Sequence, residues 1–372
     1  MNVGVIGAGN IAKAAHLPAL KSIPTVNVVG IADVDERRAK KIAKRFHISQ
    51  YYSDFEELID QDSIQLIHLC TPPQIRLQII ESAAAKGKNL FVEKPLALTL
   101  DEAIRIRRVV RKHGVALTVV QNYRCFPSVQ DTKRRIAAGY LGNIVSMQGT
   151  GLTPHPANQS KATHFYHPGG VLFDFAPHLI DMLLWFNGSA VEKVFAFGGD
   201  YTGRMGFINY AQILLYFANK AVAVADVSWL TAIEGMRFTI NIHGTGGHIL
   251  LNVRNDTFTE FHGVLSPIDD VRRALAQAFN VSKGVLTGAY FTSPFANYKQ
   301  LILDFLDAVR NSRAPSVTIE QAVMTIAVLE AAQRSILDKR PIAIRDLFAS
   351  TGEFEEITRS LNHDIPRFAS LS

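Results

Sequence analysis

The chain has 372 residues, 48% hydrophobic and 19% charged, a globular composition long enough for two domains and too apolar for disorder. Its formal net charge of +6 is mild, and the densest basic run (Arg105, Arg107, Arg108, Arg111, Lys112) falls on one expected helix as a solvated face, so no nucleic-acid partner is expected. Two cysteines, Cys70 and Cys125, form no C-x-x-C pair, no apolar run reaches membrane-span length, and the first strand begins at once without a leader, so a cytoplasmic protein free of membranes is the expectation.

Val3–Ile6 reads as a buried strand, followed by Gly7-Ala-Gly9-Asn10-Ile11-Ala12 and a helix over 10–21. In this G-x-G-x-x-A pattern, Gly7 permits a tight turn, Gly9 lets a pyrophosphate approach the backbone, and Ala12 keeps the helix close to the strand. The helix start offers unpaired N–H groups to phosphate. Strand and helix patterns then alternate: strand 26–32, helix 35–46, strand 50–52, a short helix opened by a Ser53-x-x-Glu56 capping box, and strand 65–70. Thr71-Pro72-Pro73-Gln74 reads as an N-cap with proline in the first turn, and strand 89–92 follows. A helix opened by Thr99-x-x-Glu102 runs to about 113, and strand 115–121 ends the series. Such alternation predicts parallel strands with helices on both faces and ligands at the strands' carboxyl ends.

Asp33 ends the second strand, where a carboxylate can accept a ribose 2′-hydroxyl and repel a 2′-phosphate, which favours NAD. Arg37 and Arg38 stand close enough to reverse that preference, so NADP stays open. Lys94 follows the fifth strand and precedes Pro95, at the edge where a ligand lies; a cis Lys94–Pro95 bond is the expectation for this sharp turn.

Together these residues resemble the Gfo/Idh/MocA family of oxidoreductases, the glucose–fructose oxidoreductase and inositol dehydrogenase group. The similarity runs through Gly7–Ala12, His16-Leu-Pro-Ala-Leu20, Ile31-Ala-Asp33, Thr71-Pro72, Glu93-Lys94-Pro95, Gln121-Asn-Tyr-Arg124 with Pro127, Gly139–Ile144, and Gly169-Gly170 through Asp174 and His178 to Asp181. The resemblance implies an α/β protein with an N-terminal Rossmann domain and a C-terminal α+β domain carrying a large, open, mostly antiparallel sheet. It implies Lys94 beside the nicotinamide and Asp174 and His178 at the substrate. The expected cofactor-binding residues are Gly7, Gly9, Asn10, Ile11, Asp33, Thr71, Pro72, Glu93 and Lys94. Arg76 stands about where family members often carry a histidine.

Read on its own chemistry, the stretch after Gly170 is a helix with Leu172, Phe173, Leu179, Ile180, Leu183 and Leu184 on one side and Asp174, His178 and Asp181 on the other. Pro177 fits only a first turn. Oxidising an alcohol needs a base for the hydroxyl proton, and histidine titrates in the right range; a carboxylate one turn away and a lysine can orient the substrate and stabilise negative charge. Lys94, Asp174 and His178 are therefore the catalytic candidates, and Tyr123 and Arg124 join Asp174 and His178 as substrate-binding candidates, with Arg124 equally readable as a structural interdomain pair. His155, His164 and His167 fit no compact metal spacing, so no metal is expected; the loop 153–168 is read as a cover for the substrate.

Six further strands (144–152, 191–197, 209–217, 221–229, 238–244, 248–253) predict an antiparallel meander with one face open to another copy, as a dimer or tetramer. Residues 264–293 have helical spacing, 296–311 and 319–337 are helices, and the polar end is an arm or tail. The expected domains are 1–125 (dinucleotide binding), 126–350 (substrate binding and oligomerisation) and 351–372 (tail). The expected activity is NAD(P)-dependent hydride transfer at a hydroxyl or keto carbon of a sugar, nucleotide sugar or cyclitol. A glycoside hydrolase using transient oxidation and a non-catalytic sensor are the alternatives.

Overall fold

The structure, a computed structural model, describes residues 1–154, 169–203, 206–230, 237–261 and 297–363. The covering loop with His155, His164 and His167, and the helix expected over 264–293, lie outside the described residues. Two compact units are present, Met1–Asn122 with Pro294–Ile326, and Tyr123–Ser293 with Ala327–Ser372.

The first unit is built on β1 (Asn2–Ile6), β2 (Asn27–Ala32), β3 (Gln50–Tyr52), β4 (Leu66–Leu69), β5 (Asn89–Val92) and β6 (Leu117–Val119), all parallel in the order β3-β2-β1-β4-β5-β6. All four residues of β4 are buried, as are Leu90, Phe91 and Val92 of β5, because helices cover both faces of such a sheet. The strand order reverses beside β1, and sheets of this kind hold ligands in the crevice at such a reversal, here at the carboxyl ends of β1 and β4.

The connecting helices follow their caps. The first, α1, is wound as a π-helix over Ala12–His16 and as an α-helix over Leu17–Lys21. Asp35 caps α2 (Glu36–Phe46) by accepting from Arg38 N at 3.1 Å. Two expected caps are corrected. Asp54, not Ser53, caps α3 (Phe55–Ile59): its extended backbone aims Oδ1 at Glu56 N, 3.0 Å away. Thr71 caps nothing; a 3₁₀ turn, Pro73–Ile75, starts after Pro72 and leads into α4 (Arg76–Ala85). Thr99 caps α5 (Leu100–His113) as expected, accepting from Glu102 N at 3.3 Å, and Gly114 ends it in the left-handed region.

Residues 297–326 were expected in the second domain, but they group with the first. The helix Tyr298–Arg310 sets Phe305 against Phe91 of β5 with ring centroids 5.9 Å apart. Thr118 Oγ1 of β6 donates to Val317 O at 2.9 Å, and Arg107, 2% exposed, pairs with Glu320 at 3.2 Å. Helix Ile319–Asp338 is divided between the units.

The second unit holds α6 (Pro127–Ala137), β7 (Ile144–Leu152), α7 (Val171–Asp174), α8 (Ala176–Asn187), β8 (Val191–Gly199), β9 (Tyr210–Phe217), β10 (Val222–Ser228), β11 (Arg237–Gly244), β12 (His248–Asn252), β13 (Thr257–Phe261) and β14 (Ile342–Ala343). The described strands form one sheet, β13-β12-β11-β7-β10-β9-β8-β14. It is antiparallel except that β7 runs parallel to β10, so the expected simple meander is not the full topology; the chain leaves β7 by way of α7 and α8, and such a crossover frees it from pairing with the next strand. β13 and β14 were not foreseen.

Register places Ile213, Ala225, Gly149, Ile240 and Leu251 in one row across this sheet. A Cβ at Gly149 would strike Leu179 of α8, and one at Gly151 would strike the Phe175 ring. These two glycines let the helix pair lie close on the sheet and so set its depth. Phe197, Leu214, Tyr216 and Leu250 occupy the alternate positions and are exposed. At the chain's end Phe354–His363 is helical and Ile357 is fully buried, which corrects the expected tail over 351–363.

Candidate active site

The carboxyl end of the first unit's sheet is shaped by β1 and its turn. Gly7 has φ +97°, donates to Ala32 O at 2.8 Å, and has no room for a side chain, since a Cβ would lie 2.8 Å from the Cys70 carbonyl. Above Gly9 the space is open: a Cβ there would meet nothing within 4 Å. Asn10 is exposed and Ile11 half-buried. The Thr71 hydroxyl, at the end of β4, is buried with no hydrogen-bond partner among the described residues. An open turn at a helix start and an orphaned hydroxyl beside it fit a dinucleotide. Asp33 stands at the end of β2 and is 9% exposed. Its Oδ2 accepts from Ala8 N at 2.8 Å and its Oδ1 from Asp35 N at 2.9 Å, while Arg38 lies 3.4 Å away. The carboxylate is therefore pinned to the glycine turn.

Lys94 follows β5, two strands from the glycine turn, and its bond to Pro95 is cis as expected. The segment is held from two sides. Arg76, 3% exposed, donates to the carbonyls of Thr71, Glu93, Lys94 and Pro95, so the side chain standing at the family's histidine position is a clamp on the backbone of both loops. On the other side Glu93 Oε1 meets His16 Nε2 at 2.9 Å and accepts from Tyr298 Oη at 2.8 Å, while Oε2 accepts from Lys94 N at 3.1 Å. His16 Nδ1 in turn lies 3.0 Å from His68 Nδ1. Burial, with His16 adding to it, pushes the His68 pKa well down, and its ring stacks on Phe91 as a neutral imidazole.

Burial alone would raise the Glu93 pKa, but the His16 hydrogen bond and charge, the Tyr298 hydroxyl and the Lys94 charge overcome it and hold the carboxyl at about 2. A depressed carboxyl stabilises the fold above its unfolded value near 4.5, by ~3 kcal/mol for this shift, and loses that contribution as pH falls through about 2. Tyr298→Phe removes one donor and raises the folded value toward 4.5, so in thermal melts taken from pH 5 down to 2 the stability lost with acid is expected to be smaller and to level off at a higher pH, from a lower starting stability at pH 5. An unchanged limb would show that this hydroxyl does not hold the charge.

In the second unit, Gly170 opens α7, which ends at Asp174; Phe175 then joins it to α8. Pro177 lies in the first turn of α8, where a missing N–H costs nothing. His178 is 8% exposed, and its ring stands edge-on to Tyr123 (4.8 Å between centroids) and near Phe175 (6.2 Å). Tyr123, 7% exposed, also stacks on Phe126. Asp174 is half-buried. The structure thus brings Tyr123 and His178 into contact. The expected polar face of the helix is corrected at Asp181, which is 2% exposed and grips Arg124 through two bonds of 2.7 and 2.6 Å. Arg124 lies in addition 5.0 Å from the Trp185 ring. Burial raises the Asp181 carboxyl, and Arg124 pulls in the opposite direction without cancelling it.

Among the described residues, no three His, Cys, Asp or Glu side chains gather as a metal site, and no helix is long and apolar enough to cross a membrane. Tyr298 and His68 carry no local sequence signal for pairing with the Glu93 segment, and His16 stands out in the sequence only as part of a motif.

A family profile described as "Oxidoreductase family, NAD-binding Rossmann fold" matches residues 1–121, and one described as "GFO/IDH/MocA C-terminal domain" matches residues 129–250. The chain is 30% identical to YrbE of Bacillus subtilis, an uncharacterized oxidoreductase, over 92% of this chain and 96% of that one. It is 26% identical to the myo-inositol 2-dehydrogenase of Thermotoga maritima, over 93% and 99%. Among solved structures it is similar in fold to levoglucosan dehydrogenase in complex with NADH, with TM-score 0.79 and 23% identity over 92% of this chain and 99% of that one.

Proposed function

The chain belongs to the Gfo/Idh/MocA family of NAD-binding oxidoreductases, and from that premise we propose that it moves a hydride between NAD and a carbinol or keto carbon of a polyhydroxylated small molecule, a sugar, nucleotide sugar or cyclitol. Relatives named as inositol and levoglucosan dehydrogenases support that substrate class. Bound NAD supplies the hydride acceptor. Gly7, Gly9, Asn10 and Ile11 would hold its pyrophosphate, with Asp33, Thr71, Pro72 and Glu93 around its remaining parts. Lys94 donates a hydrogen bond to the reacting oxygen and stabilises the negative charge that builds there. His178 accepts the hydroxyl proton, and Asp174 accepts a hydrogen bond from a neighbouring hydroxyl. Tyr123 orients the His178 ring.

The observation that carries this reading is the Lys94 segment. A lysine at a strand end is ordinarily a loose surface group. Here the carbonyls on both sides of it are clamped by buried Arg76, and the carboxylate before it is fixed by buried His16 and Tyr298. Such effort fits a side chain that must be aimed. Incubation with NAD and a panel of sugars and cyclitols is expected to produce NADH with at least one of them. Release of an aglycone without net NADH, or no reaction with any polyol, would overturn the reading.

We further propose that the sheet face on which Phe197, Leu214, Tyr216 and Leu250 are exposed packs against a second copy of the chain, since exposed apolar side chains on a sheet face gain from cover. Light scattering is expected to give a multiple of the 41.1 kDa chain mass; a single-chain mass would refute it.

A further inference from the structure

His68 lies in β4, a strand whose four residues are all buried, and it is 0% exposed. An imidazole in the centre of a parallel sheet costs more than the isoleucine and leucine on either side of it, unless its nitrogens are used. One is used: Nδ1 lies 3.0 Å from Nδ1 of His16, which is also 0% exposed. The other, Nε2, is buried with no hydrogen-bond partner among the described residues. Strand register holds the ring as well. His68 stands opposite Phe91 across β4 and β5, and the two rings stack with centroids 4.5 Å apart. The His16 ring is edge-on to both, 5.3 Å from His68 and 5.8 Å from Phe91.

Two ring nitrogens that face one another share one proton, and their other contacts decide which of them carries it. Glu93, its carboxyl held at about 2, only accepts, so His16 Nε2 at 2.9 Å from Oε1 carries a proton. A second proton on His16 Nδ1 would force His68 to accept there and move its own proton to Nε2, a buried N–H with no acceptor among the described residues. Orphaned buried N–H groups are rare, and an unused lone pair is the lesser deficit. We propose that His68 is a positioning residue for Lys94: its Nδ1–H donates to His16 Nδ1, which commits the His16 proton to Nε2 and so to Glu93. In an imidazole, the bond made by one nitrogen sets which nitrogen is protonated. Without the His68 donor the His16 proton can sit on Nδ1, which turns a lone pair toward the carboxylate. Glu93 Oε1 is then left with the Tyr298 hydroxyl, and Oε2, which accepts from Lys94 N at 3.1 Å, loses its fixed direction.

The inference rests on the role of Lys94 in hydride transfer, and two measurements on the full chain separate it from that reading. Asparagine carries an N–H where histidine carries Nδ1–H, and leucine has nearly the same shape without it. His68→Leu is expected to lower kcat at least tenfold on a polyol that the starting protein oxidises, with KM and NADH affinity within threefold. His68→Asn is expected to bring kcat back to within threefold of the starting protein. A side chain that only fills the core would change stability in both variants and leave kcat alone, so a leucine variant within threefold of the starting protein, or an asparagine variant no faster than the leucine one, overturns the proposal. Long-range proton–nitrogen NMR of isotopically labelled histidines at neutral pH needs no turnover. The His68 signals, absent from both variants, are expected to show the proton on Nδ1, and those of His16 the proton on Nε2. A proton on His68 Nε2 overturns the proposal even where every polyol is oxidised. No oxidation of any polyol, with both protons where they are expected, overturns the dehydrogenase reading and leaves this order of donors standing.

Discussion

His178→Asn is expected to lower kcat by about 10²- to 10⁴-fold, the usual worth of a positioned general base, while the affinity for NADH changes little. The site allows a clean test. His178 is buried against the Tyr123 ring on a helix whose depth is fixed by Gly149 and Gly151, so a smaller polar side chain at that position leaves the surrounding packing in place. Residual turnover in the variant should climb with pH, because hydroxide can then take the proton that the imidazole took. Lys94→Met is expected to cost about 10²- to 10³-fold by loss of a donor to the developing oxyanion. Stopped-flow measurement of hydride transfer, with cofactor affinity measured separately, distinguishes these effects from weakened binding. Full turnover in His178→Asn would remove the histidine from the chemistry.

The parts of the fold legible in the sequence were those whose cause is local. Gly7 announces a turn because only a residue without Cβ fits against the Cys70 carbonyl, and Thr99 announces a helix because its cap partner is three residues away. Strand alternation in β9, buried at every second residue, is of the same kind. Illegible were the partners set by tertiary contact. Glu93 meets Tyr298 across 205 residues and His16 across 77, and no spacing rule connects them. Arg76 is legible only as the residue standing where family members often carry a histidine, until its carbonyl partners are visible. The missed topology of β7 has the same origin: local pattern identifies a strand but not its neighbour.

Arg124→Met is expected to destabilise the protein by about 3–5 kcal/mol, because it leaves Asp181 buried beside no counter-charge. The matched substitution Arg124→Met/Asp181→Leu should recover most of that loss. Removing both charges from the interior also removes two desolvation costs, and the raised Asp181 carboxyl shows that burial already outweighs the help it receives from Arg124. Urea unfolding of the two single variants and the double variant gives the coupling directly. The same double variant decides what Arg124 is for. With both hydrogen bonds to Asp181 formed and its guanidinium set over Trp185, Arg124 is engaged within the second unit. If that engagement is its whole purpose, the refolded double variant should keep KM within about threefold of the starting protein, whereas a tenfold rise in KM with stability restored would mean that the guanidinium also reaches the substrate.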